Sequence, residues 1–180
     1  MLGSWASAYG RSTVRISKGS NTVMVTSPTP ALLVSAGPDW CLERRVFPQH
    51  TDHAGVMWHG AYVGWLEEAR IEALAAVGLP YSDLSARGLE LPIVSLAIDY
   101  RQALLHGDAV ELRSQVLPRQ GVRLPWLTSL YGPGGVLAAT ARVELVLLDC
   151  AGGPARRRLM RHWPADLERA LAALRRGPGL

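Results

Sequence analysis

What most narrows the fold of this chain is a succession of one long apolar helix and then four runs of alternating polarity joined by short turns. From about His59 to Val77, the residues Tyr62, Leu66, Ala69, Ala73 and Ala76 recur at three- and four-residue spacing, the mark of a helix with one apolar face. Trp65 and Val77 flank that face, Val63 and Leu74 widen it, and only Glu67, Glu68, Arg70 and Glu72 carry charge. Gly78 and Pro80 stop the helix. A stripe this broad predicts a helix wrapped by other structure.

The runs that follow alternate with period two. In Ile93 to Arg101, Val94, Leu96, Ile98 and Tyr100 oppose Ser95, Ala97, Asp99 and Arg101. In Ala109 to Leu117, Val110, Leu112 and Val116 form the apolar row. Val122 to Tyr131 is the third run, with Pro125 arguing for an edge or a bulge. Val136 to Leu148 is the fourth, with Leu137, Ala139, Ala141, Val143, Leu145 and Leu147 on its buried face. The links His106-Gly107-Asp108, Pro118 to Gly121 and Gly132 to Gly135 read as hairpin turns, hence an antiparallel sheet. A short strand, Cys41 to Phe47, precedes the helix, and a small helix from Pro164 to about Arg176 ends the chain. A sheet of this size must cover something, and the long helix is the large candidate. The class is α+β.

Composition sets the outer limits. With 180 residues, 48% hydrophobic and 19% charged, the chain can bury a core. No apolar run approaches the roughly 20 residues of a membrane helix, so no membrane partner is expected. The formal charge of +4 is carried almost wholly by arginine, Lys18 being the single lysine; a modest excess suits an anionic small molecule, and no nucleic-acid partner is expected. Cys41 and Cys150 form neither a metal-like pair nor a disulfide framework, which points to a reducing, cytoplasmic setting. Residues 1–38 differ from the rest. They hold no acidic residue, are rich in Ser, Thr, Gly and Pro, and carry Arg11, Arg15 and Lys18. That composition reads as an organellar transit peptide, a disordered extension, or an over-extended start with Met24 as the true one. The expected organisation is 1–38 as an extension, 39–163 as the domain, and 164–180 as a C-terminal helix and tail.

The chemistry concentrates between Gln49 and Tyr62. His50, Asp52, His53 and His59 are suitable metal ligands, but their spacing matches no closed zinc pattern. No G-x-S-x-G elbow and no phosphate-cradling G-x-x-x-x-G-K loop occurs. What is left is a lone carboxylate, Asp52, in a loop that runs into a helix start. Unpaired N–H groups and a partial positive charge gather there, able to polarise a carbonyl and hold an oxyanion. A carboxylate opposite them acts as general base or as nucleophile, and Gly55 and Gly60 let backbone approach a ligand closely. On the residues alone, Asp52 reads equally well as a turn or capping aspartate.

The pattern Thr51-Asp52-x-x-Gly55-Val56-x-x-His59-x-x-Tyr62, followed by Glu67-x-Ala-Arg-x-Glu72-x-Leu74 and Gly78, resembles the hotdog-fold acyl-CoA thioesterases of the 4-hydroxybenzoyl-CoA thioesterase and YbgC-like group. The likeness runs from about Cys41 to Asp149 and takes in Asp99-Tyr100 and Gly107-Asp108 at the first hairpin. It implies a hotdog fold, an antiparallel sheet wrapped around a long central helix. It implies that Asp52 is the catalytic carboxylate, that the His59 backbone N–H polarises the thioester carbonyl, and that Tyr62 shapes the pocket. Gly55, Trp58, Gly60 and Glu67 complete the implied substrate-binding set. The His59 side chain either orients the loop or contacts substrate.

Glu67 is the second candidate carboxylate, since some hotdog enzymes use a glutamate on this helix. By spacing alone, Glu67 and Arg70 read as a helix ion pair. Tyr81 and Asp83 read as loop residues. Arg119, Arg156, Arg157 and Arg158 are the candidates for the phosphates of coenzyme A; the local reading of the last three, with Arg161, is a solvated edge strand.

The resemblance implies an acyl-CoA or acyl-carrier-protein substrate, no cofactor, and a homodimer or homotetramer with the channel between subunits. Trp58, Trp65 and Trp126 leave an aromatic acyl group open or are simply core. Ala103 stands where many relatives carry proline, a departure in the outer pocket. A hotdog hydratase or dehydratase, which pairs a histidine with a carboxylate, and a non-catalytic acyl-CoA-binding protein are the alternatives.

Overall fold

The computed structural model describes residues 39–153 and 156–178, so the expected extension over residues 1–38 lies outside the described part. Strand β1 (Trp40–Arg45) leads through a 3-10 turn (Pro48–His50) to helix α1 (His59–Ala76). A short helix α2 (Tyr81–Ala86) and strand β2 (Leu89–Glu90) follow. Then come β3 (Ile93–Tyr100), β4 (Ala109–Val116), β5 (Arg123–Tyr131) and β6 (Leu137–Val146). The chain continues through β7 (Leu148–Asp149) and β8 (Arg158–Leu159) to helix α3 (Ala165–Arg176). The five-stranded sheet has the order β1-β4-β5-β6-β3, with every pair antiparallel.

Helix α1 buries Ala61, Tyr62, Trp65, Leu66, Ala69, Arg70, Ala73 and Leu74. Its first half packs with Val46, Met57, Leu104, Leu112, Leu130, Ala139 and Ala141. Its second half joins a cluster with Leu84 of α2, Trp126 of β5, Val143 and Leu145 of β6, and Leu167 and Leu171 of α3. Small residues at the contact, Ala61, Ala69 and Ala73 on the helix and Ala139 and Ala141 on the sheet, let the two layers approach closely. The sheet and α3 cover one side of the helix. Gly64, Glu67, Glu68, Ile71, Glu72, Ala75 and Ala76 are exposed, so Ala76 falls off the expected face. Arg70 enters the buried row in its place, lining its aliphatic stem along the core.

The short-link rule holds for β4–β5 and β5–β6 but fails for β3–β4. Strand β3 pairs with β6, not β4, so residues 101–108 carry the chain from one edge of the sheet to the other side of β5 and β6. Gly107-Asp108 is thus a turn within a crossover, not a hairpin. As the outer strand, β3 leaves Ile93, Val94, Leu96 and Tyr100 exposed. Pro125 lies in a central strand instead of at an edge. Its carbonyl accepts from Leu117 N–H just beyond the last β4–β5 pair, Val116↔Trp126. Since N–H and C=O of one strand residue face the same side, the missing N–H falls where that ladder is already ending. Tyr81 and Asp83 belong to α2, and the Tyr81 hydroxyl accepts Leu91 N–H at 3.3 Å. Strand β8 is the outer strand of the small β2-β7-β8 sheet, so Arg158 does sit on an exposed edge.

Ser114 and Thr128 face each other across β4 and β5, both buried, with hydroxyls 2.9 Å apart. Ser114→Ala should strand the Thr128 hydroxyl and cost about 1–3 kcal/mol in urea unfolding, and adding Thr128→Val should recover most of it. A single variant as stable as wild type would show that this pair contributes nothing.

Candidate active site

Asp52 sits on a small closed loop. Thr51 bridges Met57, Asp52 N–H donates to the Val56 carbonyl at 2.8 Å, and Gly55 N–H donates to the Asp52 carbonyl at 3.0 Å. The turn needs a residue in the left-handed region, and Gly55 supplies it at φ 76°. The Asp52 carboxylate serves the same turn. Its Oδ1 accepts Ala54 N–H at 2.8 Å and Val56 N–H at 3.2 Å. Oδ2 makes no hydrogen bond among the described residues. The turn reading of Asp52 is therefore real, and it engages one oxygen of the two.

The loop is held from both sides. Trp58 N–H donates to the His50 carbonyl at 3.0 Å, and Met57 N–H donates to the Leu104 carbonyl at 2.8 Å. Val56 bridges Leu105, and His106 N–H reaches the Gly55 carbonyl. The crossover is fixed in turn by Asp108, whose Oδ2 accepts Leu105 N–H at 2.8 Å and whose carbonyl accepts Val46 N–H at 2.9 Å. His50 Nδ1 accepts Phe47 N–H at 3.1 Å. The ring meets the Trp65 face edge-on.

Two residues past the Thr51↔Met57 bridge the chain enters α1 at His59. Trp58 is the N-cap in extended conformation with no side-chain cap, and Ala61 N–H is taken by the Trp58 carbonyl. The N–H groups of His59 and Gly60 have no carbonyl one turn back to bond, as at every helix start. The Trp58 ring lies over Gly60 so closely that a Cβ there would come 2.1 Å from its edge. The same ring meets His59 edge-on at 5.3 Å. Tyr62 is buried, its ring against Tyr100 of β3 at 5.0 Å. Burial raises the Tyr100 pKa, so its phenol stays protonated at neutral pH.

The loop thus brings Asp52, Gly55, Trp58, His59, Gly60 and Tyr62 onto one bridged segment and the first turn of α1. The other expected site residues lie elsewhere. Glu67 is exposed on α1 at the rim of a cavity of about 270 Å³ that runs beside the second half of the helix. It makes no ion pair with Arg70, whose Nη1 donates to the Leu66 carbonyl at 2.9 Å. Arg119 is engaged within the fold, 2.7 Å from Glu168 and with its guanidinium 4.9 Å from the centre of the Trp163 ring. Arg156, Arg157 and Arg158 are exposed, with Arg157 4.0 Å from Glu90. Trp65 and Trp126 are core, and Trp58 is exposed. The residues that build the loop from outside, Val46 and Leu104 to Asp108, give no local sign in the sequence beyond the Gly-Asp pair. His53 makes no contact with His50 or His59, and no group of three or more His, Cys, Asp and Glu side chains converges on a metal-sized site among the described residues.

Residues 46–171 match the thioesterase-like superfamily. A protein of Synechocystis named as an esterase is 36% identical over 169 residues, which span 84% of this chain and 99% of its own. Acyl-CoA thioester hydrolase YbgC of Escherichia coli O157:H7 is 25% identical over 105 residues, 58% of this chain and 78% of its own. Among solved structures, a Thermus thermophilus protein described as hypothetical superposes with a TM-score of 0.66 at 30% identity, covering 74% of this chain and 98% of its own. A 1,4-dihydroxy-2-naphthoyl-CoA thioesterase from Synechocystis shares the fold, with a TM-score of 0.67 at 22% identity over 76% of this chain and 97% of its own.

The two-bond role of Oδ1 predicts a split between isosteres. Asp52→Ala should lower unfolding stability by about 1–2 kcal/mol, because two loop N–H groups lose their acceptor. Asp52→Asn keeps an oxygen at Oδ1 and should stay within about 0.5 kcal/mol of wild type. Equal losses in denaturant titrations of the two variants would refute the assignment.

Proposed function

This chain belongs to the thioesterase-like superfamily and is a thioester hydrolase of the hotdog fold; we propose that its substrate is an acyl-CoA and that Asp52 and the start of α1 carry the reaction. The observation that supports this most is the division of labour on Asp52: Oδ1 is pinned by two loop N–H groups while Oδ2 is left open. A carboxylate fixed by one oxygen presents the other without spending conformational entropy at the moment of reaction. The bridged loop delivers that carboxylate and the His59 N–H from the same closed segment.

In the reaction the thioester carbonyl lies against the His59 N–H, with the positive end of α1 behind it. Asp52 Oδ2 takes a proton from water, the water oxygen attacks the carbonyl carbon, and the tetrahedral oxyanion is held at the helix start. Collapse expels the coenzyme A thiolate and leaves the free acid. Direct attack by Asp52, giving an anhydride that water then opens, uses the same two groups. Trp58 and Tyr62 bound the acyl entrance. The exposed Arg156, Arg157 and Arg158 are candidates for the phosphates of coenzyme A, whereas Arg119 is committed to α3.

A panel of acyl-CoAs followed with a thiol-reactive dye tests the reading. Wild type should release thiol, and Asp52→Asn should lose at least 100-fold in kcat/KM while keeping its fold. Full activity in that variant, or no turnover of any thioester by wild type, would count decisively against it.

A homodimer, alone or within a homotetramer, follows from the same reading, because among the described residues β3 ends the sheet with an unpaired edge and exposed Ile93, Val94 and Leu96, a surface that a second copy would cover. Light scattering should give a mass at least about twice the 19.5 kDa of one chain, and Leu96→Lys should reduce it toward one copy. A monomeric wild type would exclude this assembly.

A further inference from the structure

We propose that the cavity beside the second half of α1 is a subsite for a carboxylate at the end of the acyl group remote from the thioester, held by Arg70. The proposal rests on the thioester-hydrolase reading above and names the class of acyl group it takes.

The cavity encloses about 270 Å³ between α1, the segment leading into β3, and strands β5 and β6. Its walls are mostly apolar: Ile71, Leu74, Leu91, Leu124 and Leu145. Arg70 and Tyr81, whose hydroxyl accepts Leu91 N–H, interrupt them. Arg70 is only 5% exposed, and its one hydrogen bond among the described residues is Nη1 to the Leu66 carbonyl. No carboxylate comes within ion-pair distance of it. A guanidinium stays charged inside a protein, and a buried one without a counterion is costly. Burial is the main influence on it and lowers its pKa, with Glu67 opposing.

One ligand chemistry removes this cost. A carboxylate offers two acceptor oxygens in the plane that a guanidinium fork matches. A methyl-ended acyl group filling the same space would leave the cation as it is. Glu67 stands at the rim, exposed, where water screens its charge.

The cavity is also in line with the reacting end. His59, Val63, Glu67, Arg70 and Leu74 follow one another at steps of four, four, three and four, which places them along one row of α1. Arg70 lies about three turns beyond His59, roughly 16 Å at 1.5 Å per residue, and helical side chains lean back toward the N-terminus. An acyl group of medium length, with its carbonyl at His59, brings its far end to the guanidinium.

The test compares kcat/KM of the full chain for decanoyl-CoA and for the mono-CoA thioester of decanedioic acid, equal in length and different only at the far end. Wild type should prefer the carboxyl-ended substrate at least tenfold. Arg70→Met, which keeps volume and removes charge, should bring the ratio to about one. Arg70→Gln, which also removes the charge but keeps a polar end, should lower the ratio at least threefold, and it decides the matter if Arg70→Met does not fold. A wild-type ratio near one overturns the proposal, as does a ratio unmoved by Arg70→Gln. So does an Arg70→Met variant that changes the oligomeric mass but not the ratio, because the guanidinium would then meet a carboxylate of a second copy. If wild type cleaves neither thioester, the hydrolase reading fails and calorimetry with decanedioate decides the subsite: binding weakened at least tenfold by Arg70→Met upholds it, and no binding overturns it.

Discussion

The close approach of α1 to the sheet is the contact on which the rest of the molecule depends. Ala61 and Ala69 share one buried cluster with Ala139 and Ala141, which Tyr62, Trp65 and Leu66 help to fill, while Ala73 packs in the cluster beside α3. Each large buried side chain there is worth about 1.5–3 kcal/mol of transfer free energy. A bulkier contact would lift the helix, and with it the helix start that follows the Asp52 loop. The position of the candidate chemistry is in this sense a packing result.

The Asp52 loop itself has almost no core. It is held by backbone hydrogen bonds that come from three places far apart in the chain: His50 on its own side, Val46 by way of Asp108, and Leu104 to His106 on the crossover. Polar groups that would otherwise cost free energy at the edge of the core are satisfied by one another, and the loop gains a single shape without side-chain bulk. That leaves the side chains of His53, Trp58 and His59 exposed around the mouth, as a binding site requires.

How legible each part was follows from how local its cause is. Helix α1, strands β4 to β6 and their two hairpins were visible because periodicity and turn residues act over a few positions. Strand β3 was visible as a strand but not by its neighbour, since a link of eight residues can either turn back or cross over, and only the burial of the crossover against Val46 and Met57 decides. The helix face was visible through Tyr62, Leu66, Ala69 and Ala73, and lost only Arg70, which counts as charged by type although its stem packs as a hydrocarbon. The two-residue strands β2, β7 and β8 are too short to show any period. At the site, the motif around Asp52 was readable and the aspartate's turn role was an open alternative; the structure gives that role to one oxygen. The ion pair expected between Glu67 and Arg70 fails because Arg70 points into the core, where its partner is a carbonyl.

The crossover also sets an order of assembly. Arg45 reaches the Gly107 carbonyl across 62 positions, and among the described residues β1 pairs with β4 alone. On a ribosome the Asp52 loop therefore emerges, and α1 forms behind it, long before the residues that will hold that loop have been made. Pairings this distant in sequence pay their loop entropy before any contact repays it, and they form late. The candidate catalytic loop is thus among the last parts of the domain to take shape, and a nascent chain with a finished helix would still lack a competent site.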